Sequence, residues 1–159
     1  MSQKPNVESY FESELDAESI LEFGFENVCI ATGAKWRRDG VSRQHVVPFS
    51  TDDATPIFTP DDLMNGANPM GQVGIYDDDQ YYMGGVLAEL LIQKGCSVIL
   101  VTPAAYVSEW TLNTLDQHEI HRRSATMRVK IELNRGITVI CEDYVRTNCM
   151  FTDITTPVS

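Results

Sequence analysis

Basic side chains are scarce in this sequence and long apolar runs are missing. The glycine loop that a strand-helix-strand unit offers to a dinucleotide is incomplete. Twelve Lys and Arg stand against twenty-three Asp and Glu, for a net charge of -11. That balance opposes general binding to a phosphate backbone and to anionic membranes, so neither nucleic acid nor membrane is an expected partner. No stretch approaches the roughly 18 consecutive apolar residues of a membrane span. The opening residues, MSQKPNVESY, lack a basic segment followed by an apolar one, so a cytoplasmic protein without a secretory signal is expected.

Metal and nucleophile chemistry is equally thin. Cys29, Cys96, Cys141 and Cys149 form no C-x-x-C pair, which excludes a zinc ribbon and an iron-sulfur run. His118 and His121 lie three apart on a polar helical stretch with no cysteine or carboxylate cluster to complete a ligand set. No metal site is expected. A calcium loop fails on spacing, and a phosphoacceptor site fails because Asp116 and Lys130 have no strand-end setting. No G-x-S-x-G surrounds Ser108 or Ser124, so no hydrolase is expected and no catalytic residue is assigned.

What the sequence does hold is a legible α/β frame. Its 159 residues, 43% hydrophobic and 22% charged, suit one soluble domain with its own core. Asp16 is a fitting N-cap for a short helix that Gly24 ends, and residues 27–32 (NVCIAT) read as a strand buried on both faces. From 34 to 69 the chain is mostly connection, with short strands expected near HVVPF and PIFT and a helical turn after Thr59.

Strand character returns at 72–77, apolar residues fall at helical spacing over 80–94, Gly95 stops that helix, and SVILVT is a second strand. Such a crossover makes a parallel pair. Residues 110–127 read as one helix, followed by strands in RVKIEL and ITVICE and by one more strand with a frayed tail. The expected fold is a three-layer α/β, Rossmann-like domain of the FAD/NAD(P)-binding type, with a parallel βαβ core and additional β-strands.

The crossover fixes where a dinucleotide fingerprint would lie. In G-x-G-x-x-G the first glycine turns the chain, the second lets the pyrophosphate approach, and the third lets helix and strand pack closely. With Gly84 as the third, the first position falls on Asp79 and the second on Tyr81. The residue closing the second strand, where an acid would hold the ribose, is Thr102. Only the packing glycine is in place.

Tyr81 would fill the pyrophosphate's space, and Asp77, Asp78 and Asp79 put negative charge beside the helix N-terminus. Two like charges ~4 Å apart repel by about 4 kcal/mol at an effective dielectric of 20, against ~0.3–1 kcal/mol from a helix dipole. Repulsion wins, and a carboxylate there can itself serve as the helix's anion. An equally simple reading makes the triplet a solvated acidic loop that caps the helix. Neither admits a dinucleotide.

Three stretches, VCIATGAKWRRDG, VGIYDDDQYYMGGVLAELL and SVILVTPAAYVSEWTLNTLDQHEIHRR, taken in order, resemble the C-terminal region of the trimethylamine dehydrogenase-like flavoproteins. These are relatives of 2,4-dienoyl-CoA reductase. The resemblance runs over residues 5–142 and implies a fragment of a larger enzyme. In that enzyme an FMN-bearing barrel with an iron-sulfur cluster precedes paired FAD-like and NAD(P)-like domains.

It implies that residues 1–40 are the end of the FAD-like domain and the crossover, and that 41–159 are an NAD(P)-binding-like domain with a degenerate loop. Ala31, Thr32 and Gly33 would touch FAD or ADP only in the whole protein, and the fragment itself is expected to bind no cofactor. The expected partners are the rest of the parent chain and an electron-transfer flavoprotein.

Asp79, Tyr81 and Thr102 place the chain nearer the amine-dehydrogenase branch than the NADPH-using reductase branch. The competing expectations are a working NAD(P)H domain of a dienoyl-CoA reductase-like enzyme and an acidic docking surface for an electron carrier.

Overall fold

The computed structural model describes residues 6–52, 54–142, 144–152 and 154–158. The chain divides into two units, Met1–Ala34 and Lys35–Ser159. In the first, α1 (Ala17–Glu22) begins where the Asp16 carboxylate accepts the Ser19 N–H at 2.9 Å. It ends at Gly24, whose φ of +67° suits a residue without Cβ. No residue of α1 is buried.

The strand expected at 27–32 is absent, and Val28 and Ile30 are exposed. A strand reading as apolar on both faces needs neighbours at its edges and above and below it, and none of the described residues of this unit supplies them. Ala31, Thr32 and Gly33 accordingly form exposed irregular chain.

The second unit opens with β1 (Ser50–Thr51) and α2 (Pro60–Met64), whose capping box pairs Thr59 with Asp62. PIFT forms no strand and leads directly into that cap. Then come β2 (Gln72–Tyr76), α3 (Met83–Gln93) and β3 (Ser97–Val101). Strands β2 and β3 pair in parallel, Val73 beside Val98 and Ile75 beside Leu100. A third parallel strand, β4 (Lys130–Glu132), lies on the other side of β3.

Central β3 alternates and is buried on both faces. Val98 and Leu100 join Ile75, Ala88, Leu91, Val107 and Val129 in one core, against which Ile120 and Met127 pack. Ile99 and Val101 face the opposite way and meet Ile137 with Tyr76, Ile140, Val145 and Val158. That second layer is a mixed sheet, β1-β5-β6-β7, built from β1 with β5 (Arg135–Cys141), β6 (Tyr144–Cys149) and β7 (Thr155–Val158). Helices, parallel sheet and mixed sheet give the three-layer α/β architecture expected.

Two further elements differ from expectation. The single helix foreseen over 110–127 is a 3₁₀ turn, Glu109–Leu112, followed by α4 (Gln117–Thr126). Leu115, with φ of +65°, breaks them apart. Where a frayed end was expected, β7 pairs with β6 on the sheet edge, and among the described residues Pro157 has no further strand to serve with an N–H.

Candidate functional site: the turn between β2 and α3

The turn between β2 and α3 lies at the C-terminal end of the parallel strands, where open α/β sheets bind their ligands. Asp77 continues β2, and its N–H donates to the Val101 carbonyl at 2.9 Å. Its side chain is only 3% exposed and turns toward the first turn of α3. A Cβ on Gly84 would stand 2.6 Å from Asp77 Cγ and 2.7 Å from its Oδ2. The absence of a side chain at Gly84 therefore admits a carboxylate of the protein itself. Asp77 Oδ1 accepts the Gln80 N–H at 2.9 Å, which holds Gln80 at φ of +60°.

Asp77 and Asp78 are both buried, which corrects the solvated-loop reading. It also removes these two carboxylates from any surface offered to an electron carrier. Asp78 Oδ2 accepts the Gln44 N–H at 3.2 Å, while Asp77 Oδ2 and Asp78 Oδ1 have no partner among the described residues. Burial pushes the Asp77 carboxyl up to about 6; the Gln80 N–H opposes this, and neighbouring Asp79 and Asp78 add to it.

Thr102 is fully buried, and its side chain bonds within the protein. Its hydroxyl donates to the Asp77 carbonyl at 2.8 Å and accepts the Ala104 N–H at 3.3 Å. The ends of β2 and β3 are thereby tied together. Thr102→Val keeps the shape and strips the hydroxyl, and should cost about 1–2 kcal/mol by leaving buried groups short of a partner. Urea unfolding of both proteins reads that loss directly; an unchanged midpoint would leave Thr102 with no such role.

Tyr81 and Tyr82 follow on the same turn and are exposed. Their ring centroids are 4.4 Å apart, and the Tyr82 hydroxyl donates to Asp116 at 2.6 Å. That carboxylate raises the Tyr82 phenol's pKa and is itself held below its ordinary range, chiefly by the phenol. Asp79 is half-buried on the same turn.

Asp79, Tyr81, Gly84 and Thr102 thus converge on one strand-helix junction. Ala31, Thr32 and Gly33 belong to the other unit. Among the described residues no cluster of three or more His, Cys, Asp or Glu could hold a metal ion, and no helix is long and apolar enough to cross a membrane.

Sequence reasoning missed that Asp77 is the residue filling the mouth. The signal was available: a Gly84-Gly85 pair opening a helix leaves room beside the strand that precedes it, and the nearest acid at the strand end is the group to fill it.

Comparison with solved structures decides the relationship. Histamine dehydrogenase from Rhizobium sp. 4-9 is 52% identical and superposes with a TM-score of 0.81, covering 99% of this chain. The chain is homologous to the trimethylamine dehydrogenase-like family.

A second member, the 6-hydroxypseudooxynicotine amine oxidase HisD from Pseudomonas geniculata N1, is 32% identical with a TM-score of 0.77, again over 99% of the chain. Dimethylamine dehydrogenase from Hyphomicrobium sp. (strain x) is 35% identical over 91 residues, 55% of this chain. No protein-family profile matches. The chain spans 23% and 24% of the two solved relatives, and the third match takes in 12% of that enzyme.

Proposed function

We propose that this chain is the NAD(P)-domain-like module of an amine-oxidising flavin oxidoreductase, and that it is non-catalytic. Its coenzyme site has become internal structure, and its work is to buttress neighbouring domains. In this reading residues 1–40 are the end of an FAD-like domain with the crossover, and 41–159 are the degenerate NAD(P)-like domain. FMN, FAD or ADP and an iron-sulfur cluster would be carried by the rest of the parent. An electron-transfer flavoprotein would be the parent's acceptor, and the cytoplasm its compartment.

One observation carries the reading. The Asp77 carboxylate fills the space beside Gly84 that a pyrophosphate approaching this helix would need. The residues present do not fit NAD(P). A diphosphate would meet a buried acid where the fingerprint supplies bare backbone, Tyr81 where it supplies glycine, and Thr102 turned inward where it supplies a ribose acid. The homologues support the parent's chemistry, since two are dehydrogenases of amines and one is an amine oxidase.

Calorimetric titration of the chain with NADH and with NADPH tests this. Dissociation constants weaker than about 1 mM are expected, corresponding to no more than about 4 kcal/mol of binding. Micromolar affinity for either coenzyme would instead make this the working NAD(P)H domain of a 2,4-dienoyl-CoA reductase-like enzyme.

A further inference from the structure

The stretch that ends α2 holds the sequence's one Asn-Gly pair, Asn65-Gly66. Asparagine is chemically labile, because the backbone nitrogen of the next residue can close a five-membered ring on its side-chain amide carbon when sterics allow. Elsewhere the following residue crowds that attack or removes the nucleophile. Asn6 and Asn27 precede valines, Asn113 a threonine, Asn134 an arginine and Asn148 a cysteine, while Asn68 precedes Pro69, which has no N–H.

Asn65 and Gly66 are both exposed, and a Cβ at Gly66 would meet nothing within 4 Å. In the folded chain the nucleophile is engaged. The Gly66 N–H donates to the Leu63 carbonyl at 3.2 Å, between the Asn65 N–H on Asp61 and the Ala67 N–H on Asp62, both at 2.9 Å. Asn65 stands at ψ of 7°, so the turn must open and Asn65 must rotate before the ring can close. A helix of five residues has a weak last turn, and local openings of this kind are within thermal reach.

The one Asp-Gly pair, Asp39-Gly40, could close the same ring from its carboxyl. Hydrogen bonds from Arg37 hold the Asp39 carboxyl down to about 2, which keeps it an ionised and poor electrophile. Gly40 is also pressed against Phe49, whose ring would lie 2.0 Å from a Cβ there.

We infer that Asn65-Gly66 is the chain's site of spontaneous deamidation, and that the end of α2 sets its rate. The Gly66 nitrogen bonds to Asn65 Cγ, the Cγ–Nδ2 bond breaks, and ammonia leaves with the proton of the former N–H. Water then opens the succinimide at either carbonyl, giving aspartate or isoaspartate.

Either product places a new negative charge at the C-terminus of α2, where the helix dipole opposes it, and isoaspartate adds a methylene to the main chain. Asn65 lines a cavity of about 440 Å³ with Lys35, Trp36, Arg38, Asp61 and Asp62. Asp61 there accepts the Trp36 N–H at 3.1 Å and Asp62 accepts from the Arg38 guanidinium at 2.8 Å. Deamidation loosens these two contacts as the protein ages.

The test keeps the chain and a free peptide of residues 61–69 in buffer at pH 8. Peptide mass mapping follows residue 65, and methyltransferase labelling counts isoaspartate. Conversion should occur at residue 65 in both, on the order of tenfold slower in the folded chain because the turn must open first. The protection of the Gly66 amide against hydrogen exchange should match that slowing. Thr59→Ala, which removes the N-cap of α2, should speed conversion in the chain about fivefold.

Conversion in the peptide with none in the chain overturns the site. Equal rates in peptide and chain, Gly66 protection that does not match the slowing, or a folded Thr59→Ala chain that converts at the parent rate overturn the control by α2. Conversion spread over the other asparagines, or isoaspartate at position 39 instead, overturns the inference as well. The exchange comparison uses no variant and decides the matter even where Thr59→Ala fails to fold.

Discussion

Asp77→Asn should stabilise the chain at pH 8 by about 3 kcal/mol and leave it little changed at pH 4. The carboxyl sits at about 6 in the folded chain, against 3.8 as its ordinary value, because it is buried. A raised carboxyl pKa means that the folded state holds the proton more tightly than the unfolded one. Its stabilising contribution is complete below about pH 4, declines as pH rises, and is gone once pH passes 6. The displacement corresponds to about 3 kcal/mol.

Asparagine keeps an oxygen for the Gln80 N–H and removes the buried charge. Asp16, Asp52, Asp62, Asp116 and Glu119 carry lowered values and favour the folded state in the opposite direction, at higher pH. The informative quantity is therefore the difference between variant and parent. Urea unfolding from pH 4 to 8 should give two curves that diverge through pH 4–6; curves that run parallel would mean that Asp77 titrates normally.

Gly84→Ala should destabilise the chain. The added Cβ meets Asp77 Cγ, Oδ2 and Cβ at 2.6, 2.7 and 2.9 Å, so the side chain or the helix must shift. Overpacking of this kind costs about 1–3 kcal/mol, while alanine recovers up to about 1 kcal/mol over glycine in a helix. The clash wins, leaving a net loss of about 1–2 kcal/mol and a melting temperature several degrees lower.

Making the same change in an Asp77→Ala background removes the colliding atoms beyond Cβ. Most of the loss should then disappear, a coupling that only neighbouring residues show. Additive losses in the double variant would place the cost elsewhere in α3.

The two variants bear on what a sequence can reveal about such a site. Strands β2 and β3 were legible because Val73, Ile75, Val98 and Leu100 are apolar on a strand period and Gly95 marks the helix end between them. The missing glycines at Asp79 and Tyr81 were equally plain.

The burial of Asp77 and Asp78 was not legible. Three consecutive acids read as solvated, since an ionised carboxylate is rarely enclosed without a counter-charge. What encloses them is an arrangement of three segments, with Gly84 below, Gln44 beside and Thr102 behind. No local pattern encodes that.

Residues 27–32 failed for the converse reason. Their apolar run is genuine strand sequence, but pairing requires partners that a linear pattern cannot show. The division of the helix at Leu115 turns on one residue at positive φ, a conformation that leucine seldom signals.

The central claim is that the protein's own carboxylate occupies the ground a diphosphate would take. Crystals of the chain soaked in NADPH and solved at high resolution test it most directly. The expected map shows no phosphate density at the first turn of α3, with Asp77 still seated against Gly84 and Thr102 still bonded to its carbonyl. A pyrophosphate resting on the N–H groups of that turn, with Asp77 swung aside, would contradict it.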